Sequence, residues 1–429
     1  MLILKNCRIA LTPTSGGFSI LSNVDIAVDE GLIAKVGEVK PSRGDEVVEC
    51  GGLVTPGLFN AHTHLPMVVL RGFTDGKELQ EWLGEIQPIE KLMPGWLIRS
   101  GLELGIIESI MNGTAAALDM YIYDYEDAVE LASKYGIRLY TGPVFIDLFN
   151  DPKYVENRLR NIASMGVGGL VKPVINVHSV YAVGEDTLRR VSELRNELGL
   201  RIHIHVSETR RELYEVRAKY GAYPVEVLDK FGLLGPWTIL VHLGWVTNWE
   251  VEAIARAGST AVHCPTSNMW LATAGFFPVR EFLNMGVNVA LGTDGAASNG
   301  TLDMLREVKE AILLQRNNYW SPKALGPGEA LAMATVNGYR AVGERGGAIA
   351  EGYLADLVVY DLEDPRVRPV NRRNIANIWA YSMDGSMVKM VMVNGRVVYD
   401  RSRDYERFVE RARSIEEEVN GWLGKIAPL

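Results

Sequence analysis

Between positions 57 and 294 the chain repeats one unit eight times: a short apolar run fit for a buried strand, then a stretch with helical periodicity. The runs are GLFNAH near 57, TAAALDM near 114, IRLYTGPVF near 137, VKPVINVH near 171, RIHIHV near 201, TILVHL near 238, TAVHC near 260 and NVALGTD near 288. Between them lie amphipathic stretches such as EDTLRRVSELRNELG and NWEVEAIARAG, the second with Asn248 placed to cap a helix. Strands joined through helices run parallel, and eight such units over roughly 250 residues predict a (β/α)8 TIM barrel. The rival is a doubly wound open sheet. It would be expected to carry a nucleotide loop, but the first strand is followed by no GxGxxG, and GxxxxGK[ST] occurs nowhere.

Both ends of the chain differ from this middle. ILKNCRIAL, FSILSNVDIAV and LIAKVGEV at the start, and YLADLVVYDL and VKMVMVNGRVVYD near the end, read as strands, with hairpin signals at Asp29-Glu30-Gly31 and Asn394-Gly395. The expected organisation is therefore a barrel at 54–350, a small β-sandwich domain assembled from 1–53 and 351–403, and a packing helix at 404–429. A formal charge of −9 argues against nucleic acid or an anionic membrane surface as partner. No apolar run approaches the ~18 residues of a membrane span, and MLILKNCRIALTP lacks the pattern of a signal peptide. Three scattered cysteines, Cys7, Cys50 and Cys264, predict no disulfide framework and fit a reducing, cytoplasmic setting.

The seven histidines all lie between 62 and 263, at or near the ends of predicted strands, where a barrel builds its site. His62 and His64 end the first strand, His178 the fourth, His205 the fifth, His242 the sixth and His263 the seventh; Asp294 ends the eighth. Residues two apart on a strand share a face, so His62 and His64 can address one ion. On the fifth strand the same rule leaves His203 and His205 equally placed. Singly, a His-x-His pair is commonly a core hydrogen bond and an Asp in GTDG a turn residue. Together, three imidazoles and the Asp294 carboxylate form a donor set for one divalent ion: zinc, with iron(II) or manganese(II) as alternatives.

PGLFNAHTHLPM at 56–67, HIHVSET at 203–209, LVHLGW at 240–245, HCPTSN at 263–268 and GTDGAASN at 292–299 resemble the amidohydrolase superfamily. They are most similar to its mononuclear aminohydrolases, among them the methylthioadenosine/S-adenosylhomocysteine deaminases and the triazine hydrolases. The resemblance implies His205 as the third imidazole, His203 as a buried support, and one metal. His178 stands where binuclear members need a bridging anion, and Lys172 lies at the wrong end of that strand.

It also implies hydrolytic deamination of a purine nucleoside. The metal would acidify a water molecule and Asp294 would accept its proton. Glu208, three residues after His205, would move protons to the ring nitrogen and the leaving ammonia; His242 would orient the attacking oxygen. Trp82, Glu90 and His178 match family substrate contacts. The chain departs from the family where arginines hold an amino-acid carboxylate, offering Gly142 and then Lys153, which lacks the bidentate fork. 5′-Methylthioadenosine or adenosine is therefore expected over S-adenosylhomocysteine. The alternatives are a deaminase or chlorohydrolase of another ring (guanine, cytosine, pterin or s-triazine). A homo-oligomer is compatible with the sequence.

Overall fold

The computed structural model describes residues 1–14, 17–165, 169–273 and 275–426. Its strands, in chain order, are β1 (Leu2–Thr14), β2 (Gly17–Asp29), β3 (Leu32–Gly37), β4 (Glu46–Glu49), β5 (Leu53–Pro56), β6 (Leu58–Thr63), β7 (Thr114–Asp119), β8 (Arg138–Thr141) and β9 (Val144–Phe145). They continue with β10 (Val171–Pro173), β11 (Ile175–Ser179), β12 (Ile202–Val206), β13 (Thr238–His242), β14 (Thr260–His263), β15 (Asn288–Leu291), β16 (Leu357–Tyr360), β17 (Val388–Val393) and β18 (Arg396–Asp400).

All eight expected barrel strands form and pair in parallel. They make two hydrogen-bonded arcs, β10-β8-β7-β6 and β15-β14-β13-β12-β11-β9, because the third and fourth strands are each interrupted once. The interruptions face each other. A Cβ on Gly142 would lie 2.2 Å from the Val174 carbonyl oxygen, so only glycine lets the two backbones pass this closely. A parallel bridge between Thr63 and Asp294 closes the circle. Strands β6, β7 and β13 are buried along their whole length, as parallel strands covered by helices must be.

The expected sandwich from the two chain ends is one continuous eight-stranded sheet, ordered β18-β17-β16-β5-β1-β2-β3 with β4 also on β1. Strand β1 spans both halves: Leu2–Lys5 pair with β4, and Ile9–Ala10 pair with β5. A register shift between Leu4 and Cys7 separates them. Leu4, Ile26, Val54, Leu357 and Met390 fill the core of this sheet. Because β5 belongs to the sheet, its first segment runs to Pro56.

Two local expectations are corrected. Cys7 and Cys50, 43 residues apart, are joined in a disulfide within this core, with their Cα atoms 4.9 Å apart; only Cys264 is free. The sequence gap concealed a pairing that the sheet creates by laying β4 beside β1. The helix Asn248–Ala257 is capped by Thr247 rather than Asn248, with Glu250 accepting from the Thr247 N–H and hydroxyl.

The last helix, Arg401–Ile426, docks on the barrel through a buried carboxylate. Glu103, on the helix Gly95–Met111, accepts from Arg411 (2.6 and 3.0 Å), Lys134 (2.6 Å) and the Tyr135 hydroxyl (2.6 Å). Beyond that clamp, Ile415 and Val419 pack in one cluster with Leu79, Trp82 and Ile86. No described helix is long and apolar enough to cross a membrane. Burial alone would raise the Glu103 pKa, but Arg411, Lys134 and Tyr135 bring it from 4.5 to about 2. A depressed folded value means that its stabilisation is complete above 4.5 and lost as pH falls towards 2. Hydrogen exchange in 401–426 is expected to accelerate through that window in the wild type. E103Q should expose the helix already at neutral pH; an acid-insensitive helix in the wild type would remove Glu103 as its clamp.

Candidate metal centre and active site

At the C-terminal mouth of the barrel, strand ends bring the predicted donors to one point. His62 Nε2 and His64 Nε2 lie 3.2 and 3.1 Å from Asp294 Oδ1, and His205 Nε2 lies 3.2 Å from His62 Nε2. Zinc–ligand bonds of ~2.0–2.1 Å in a tetrahedron put donor atoms about 3.4 Å apart, so one small ion fits among these four. Asp294 reaches them from a left-handed backbone (φ +61°) just past β15, with its N–H donating to the His62 carbonyl. Gly292 makes this approach possible: a Cβ there would stand 2.7–2.8 Å from His62 atoms.

The outward hydrogen bonds fix where each imidazole carries its proton. Asn176 donates through Nδ2 to the carbonyls of Asp119 (3.2 Å) and Gly142 (2.9 Å), which turns its Oδ1 towards His203. His203 Nδ1–H therefore donates to Asn176 (2.9 Å), leaving His203 Nε2 to accept from His62 Nδ1–H (2.9 Å). The His62 Nε2 lone pair is then free for an ion. His205 Nδ1–H donates to the His178 carbonyl (2.8 Å) and His64 Nδ1–H to the Met120 carbonyl, freeing their Nε2 atoms likewise. This separates the two histidines that spacing could not: His205 faces the donor set and His203 supports it from behind. Asp294 Oδ2 accepts from the Ser267 hydroxyl at 2.7 Å, which holds Oδ1 towards the imidazoles.

Burial opposes charge on His64, yet the hydrogen bond and charge of Asp294 raise its pKa to about 9, so an ion must displace that proton. Burial drives His203 and His205 well below the ordinary value. His242 ends β13 with φ +77°. Asn268 Nδ2 donates to its Nδ1 (3.1 Å) and to Thr273 Oγ1 (3.0 Å), which leaves the His242 proton on Nε2, 3.7 Å from Glu208 Oε2. Glu208 is buried, and burial, followed by the charges of Asp294 and Glu212, pushes its carboxyl far up.

These groups open into one cavity of about 370 Å³, whose lining includes His64, His178, His205, Glu208, His242 and Asp294. Opposite them lies the helix Leu79–Leu92, which carries Trp82 and Glu90 on one face, with Ile86 packed between them. Trp82 is buried and its indole N–H has no partner among the described residues; Glu90 accepts from the Tyr121 hydroxyl through Oε1 (2.5 Å). Burial raises the Glu90 carboxyl. His178 also lines the cavity, and burial with the neighbouring imidazoles lowers it to about 4.

One candidate is not brought here. Lys153 sits exposed in the first turn of the helix Pro152–Ser164, capped by Asp151, and does not line the cavity. The cation on the wall is Lys91, its ammonium 4.6 Å from the centre of the Phe149 ring. His263 also faces elsewhere, stacked on Phe277 at 4.3 Å. Sequence reasoning missed Asn176, Ser267, Asn268 and Tyr121. Asn176 had a signal, since it shares a strand face with His178 two residues on. Tyr121, in the loop after β7, had none.

The amidohydrolase family model matches residues 53–398. A 5-methylthioadenosine/S-adenosylhomocysteine deaminase of Pyrococcus furiosus is 39% identical, with 87% of this chain and 90% of that protein covered. A 5′-deoxyadenosine deaminase of Methanopyrus kandleri is 40% identical, covering 87% and 89%. Among solved structures, an adenosine deaminase from Xanthomonas campestris with bound zinc superposes with a TM-score of 0.87 at 29% identity, covering 98% of both chains.

The histidine relay carries a test. In H203L the His62 Nδ1–H loses its acceptor, and zinc affinity measured by chelator competition is expected to fall about 10–100-fold. H203Q can still accept from His62 and donate to Asn176, and should stay within a few-fold of wild type. Wild-type affinity in H203L would show that the relay does not tune the donor set.

Proposed function

The chain belongs to the amidohydrolase family and is a hydrolase of C–N bonds, and on that premise we propose that it deaminates an adenine nucleoside bearing a small, uncharged 5′ group. The observation that carries this reading is one cavity with two chemically different ends. A buried carboxyl, Glu208, stands beside the His–Asp donor set at one end, and Glu90 with the unpartnered Trp82 N–H stands at the other.

His62, His64, His205 and Asp294 would hold the ion, which when bound supplies the Lewis acidity that brings a water's proton loss into the neutral range. Zinc suits three imidazoles and a carboxylate. Asp294 accepts the proton that the attacking water gives up. Glu208, whose burial favours the protonated carboxyl, gives its proton to the ring nitrogen beside the amino-bearing carbon. It then takes the proton of the added hydroxyl as the ring carbonyl forms and passes it to the amino group, which leaves as ammonia, while the proton held by Asp294 returns to Glu208 and restores both groups. His242 donates from Nε2 to the oxygen that develops negative charge. His178, held neutral, can hydrogen-bond the base without adding charge.

At the far end, the second oxygen of Glu90 can accept from a ribose diol, and Trp82 can donate to the nucleoside. Beyond the ribose the wall is apolar, with Ile122, Ile146 and Phe149, and its one cation among the described residues is a lysine parked on an aromatic ring. That favours a methylthio group, a hydrogen or a hydroxyl over an amino-acid tail.

Ammonia release and ultraviolet absorbance across a panel of adenosine, 5′-methylthioadenosine, 5′-deoxyadenosine, S-adenosylhomocysteine, guanine and cytosine test this reading. The first three are expected to be turned over best. E208Q should keep its metal while losing about 10²–10⁴ in turnover, and E90Q should raise KM more than it lowers kcat. Activity on guanine or cytosine alone would overturn the nucleoside assignment, and full turnover by E208Q would overturn the mechanism.

A further inference from the structure

Glu208 makes no side-chain hydrogen bond among the described residues; His242 Nε2 stands 3.7 Å from its Oε2. Its placement must therefore come from its backbone. That backbone is unusual. Ser207, immediately before it, has φ +53°, a left-handed conformation that non-glycine residues adopt only when their surroundings impose it. The Ser207 hydroxyl does not impose it, for it is buried without a partner among the described residues.

The imposing group is Glu212. Its side chain is 2% exposed, and both carboxylate oxygens point back along the chain. Oε1 accepts the Ser207 N–H (3.0 Å) and Oε2 the Glu208 N–H (2.8 Å). Residues 209–212 read Thr-Arg-Arg-Glu, the spacing of a helix capping box, and Thr209 caps the helix Arg210–Tyr220 by accepting the Glu212 N–H (3.1 Å). In an ordinary box the glutamate turns back to the N-cap N–H alone; here it also reaches the two residues before the cap. A carboxylate with two oxygens is the one side chain of this length that accepts from two adjacent N–H groups at once.

We propose that Glu212 is the positioning residue that presents the Glu208 carboxyl to substrate, by clamping the backbone of Ser207 and Glu208. This rests on the reading of Glu208 as the acid–base group. A purely structural role, capping the helix, would also involve Thr209, so T209A serves as the control.

The test uses the full, zinc-loaded chain and the adenine nucleoside that the wild type turns over best. E212Q offers one acceptor and places an NH2 against the second N–H. Its kcat is expected to fall at least tenfold, with KM and zinc content within twofold of wild type. T209A should lower the melting temperature but keep kcat within twofold. In the E208Q background, E212Q should cost little further, because the group it positions is already gone. The proposal is overturned if E212Q retains its kcat, if T209A loses as much as E212Q, or if E212Q costs the same factor with and without E208. Should E212Q fail to fold, E212D, too short to hold both N–H groups, is read by the same criteria. A wild type inactive on every adenine nucleoside would strike at the assigned reaction; an active one with an additive cycle would strike at Glu212 alone.

Discussion

Three imidazole lone pairs and a carboxylate oxygen point at one another across little more than 3 Å, and much of the molecule is arranged around that fact. Buried lone pairs in such proximity repel unless a cation lies among them, and buried imidazoles without outward partners would turn or take up protons. The structure meets both demands by giving every ring an acceptor behind it. His62 leans on His203 and Asn176, His205 on the His178 carbonyl, and His64 on the Met120 carbonyl. Backbone carbonyls and an amide serve here because they accept without adding charge. The whole negative charge of the donor set is left to Asp294.

The same demand explains where strain and buried acids collect. Ser207, His242, Leu243 and Asp294 all have positive φ, and all sit at the ends of the fifth, sixth and eighth barrel strands. Such conformations are strained, and something must hold them. Buried carboxylates do much of it by accepting loop N–H groups: Asp119 takes that of Leu65, Glu212 those of Ser207 and Glu208, and Glu307 that of Thr266 while also holding Asn299. Burial lifts these acids to about 6, 7 and 7 respectively, a cost accepted for fixing the loops that carry the reactive groups.

What the sequence revealed follows from how local each feature is. The eight strands and the histidines at their ends were legible because strand periodicity and strand ends are properties of six or eight neighbouring residues. The choice between His203 and His205 was not, since both face inward; only the family motif separated them, and the physical reason lies in Asn176 on the neighbouring strand. The Cys7–Cys50 pair was hidden because the pairing of β1 with β4, not spacing, brings the two together. Lys153 was the nearest cation in sequence, whereas Lys91 is the one on the cavity wall, since the helix Leu79–Leu92 lines the cavity opposite the donor set.

That last contrast separates chemistry from selectivity in this fold. The reacting end is built by strand ends, whose positions the hydrogen-bonded barrel fixes, so a reading of motifs recovers it. The selecting end is built by a helix, Leu79–Leu92, and the segment around Phe149, both outside the barrel's hydrogen bonding. Their placement depends on packing, including Ile415 and Val419 from the last helix against the cluster that holds Trp82 and Ile86. On the proposed reading, the Trp82 end of the cavity is thus held by packing from more than 300 residues away along the chain, a dependence that spacing within the motif loops does not express.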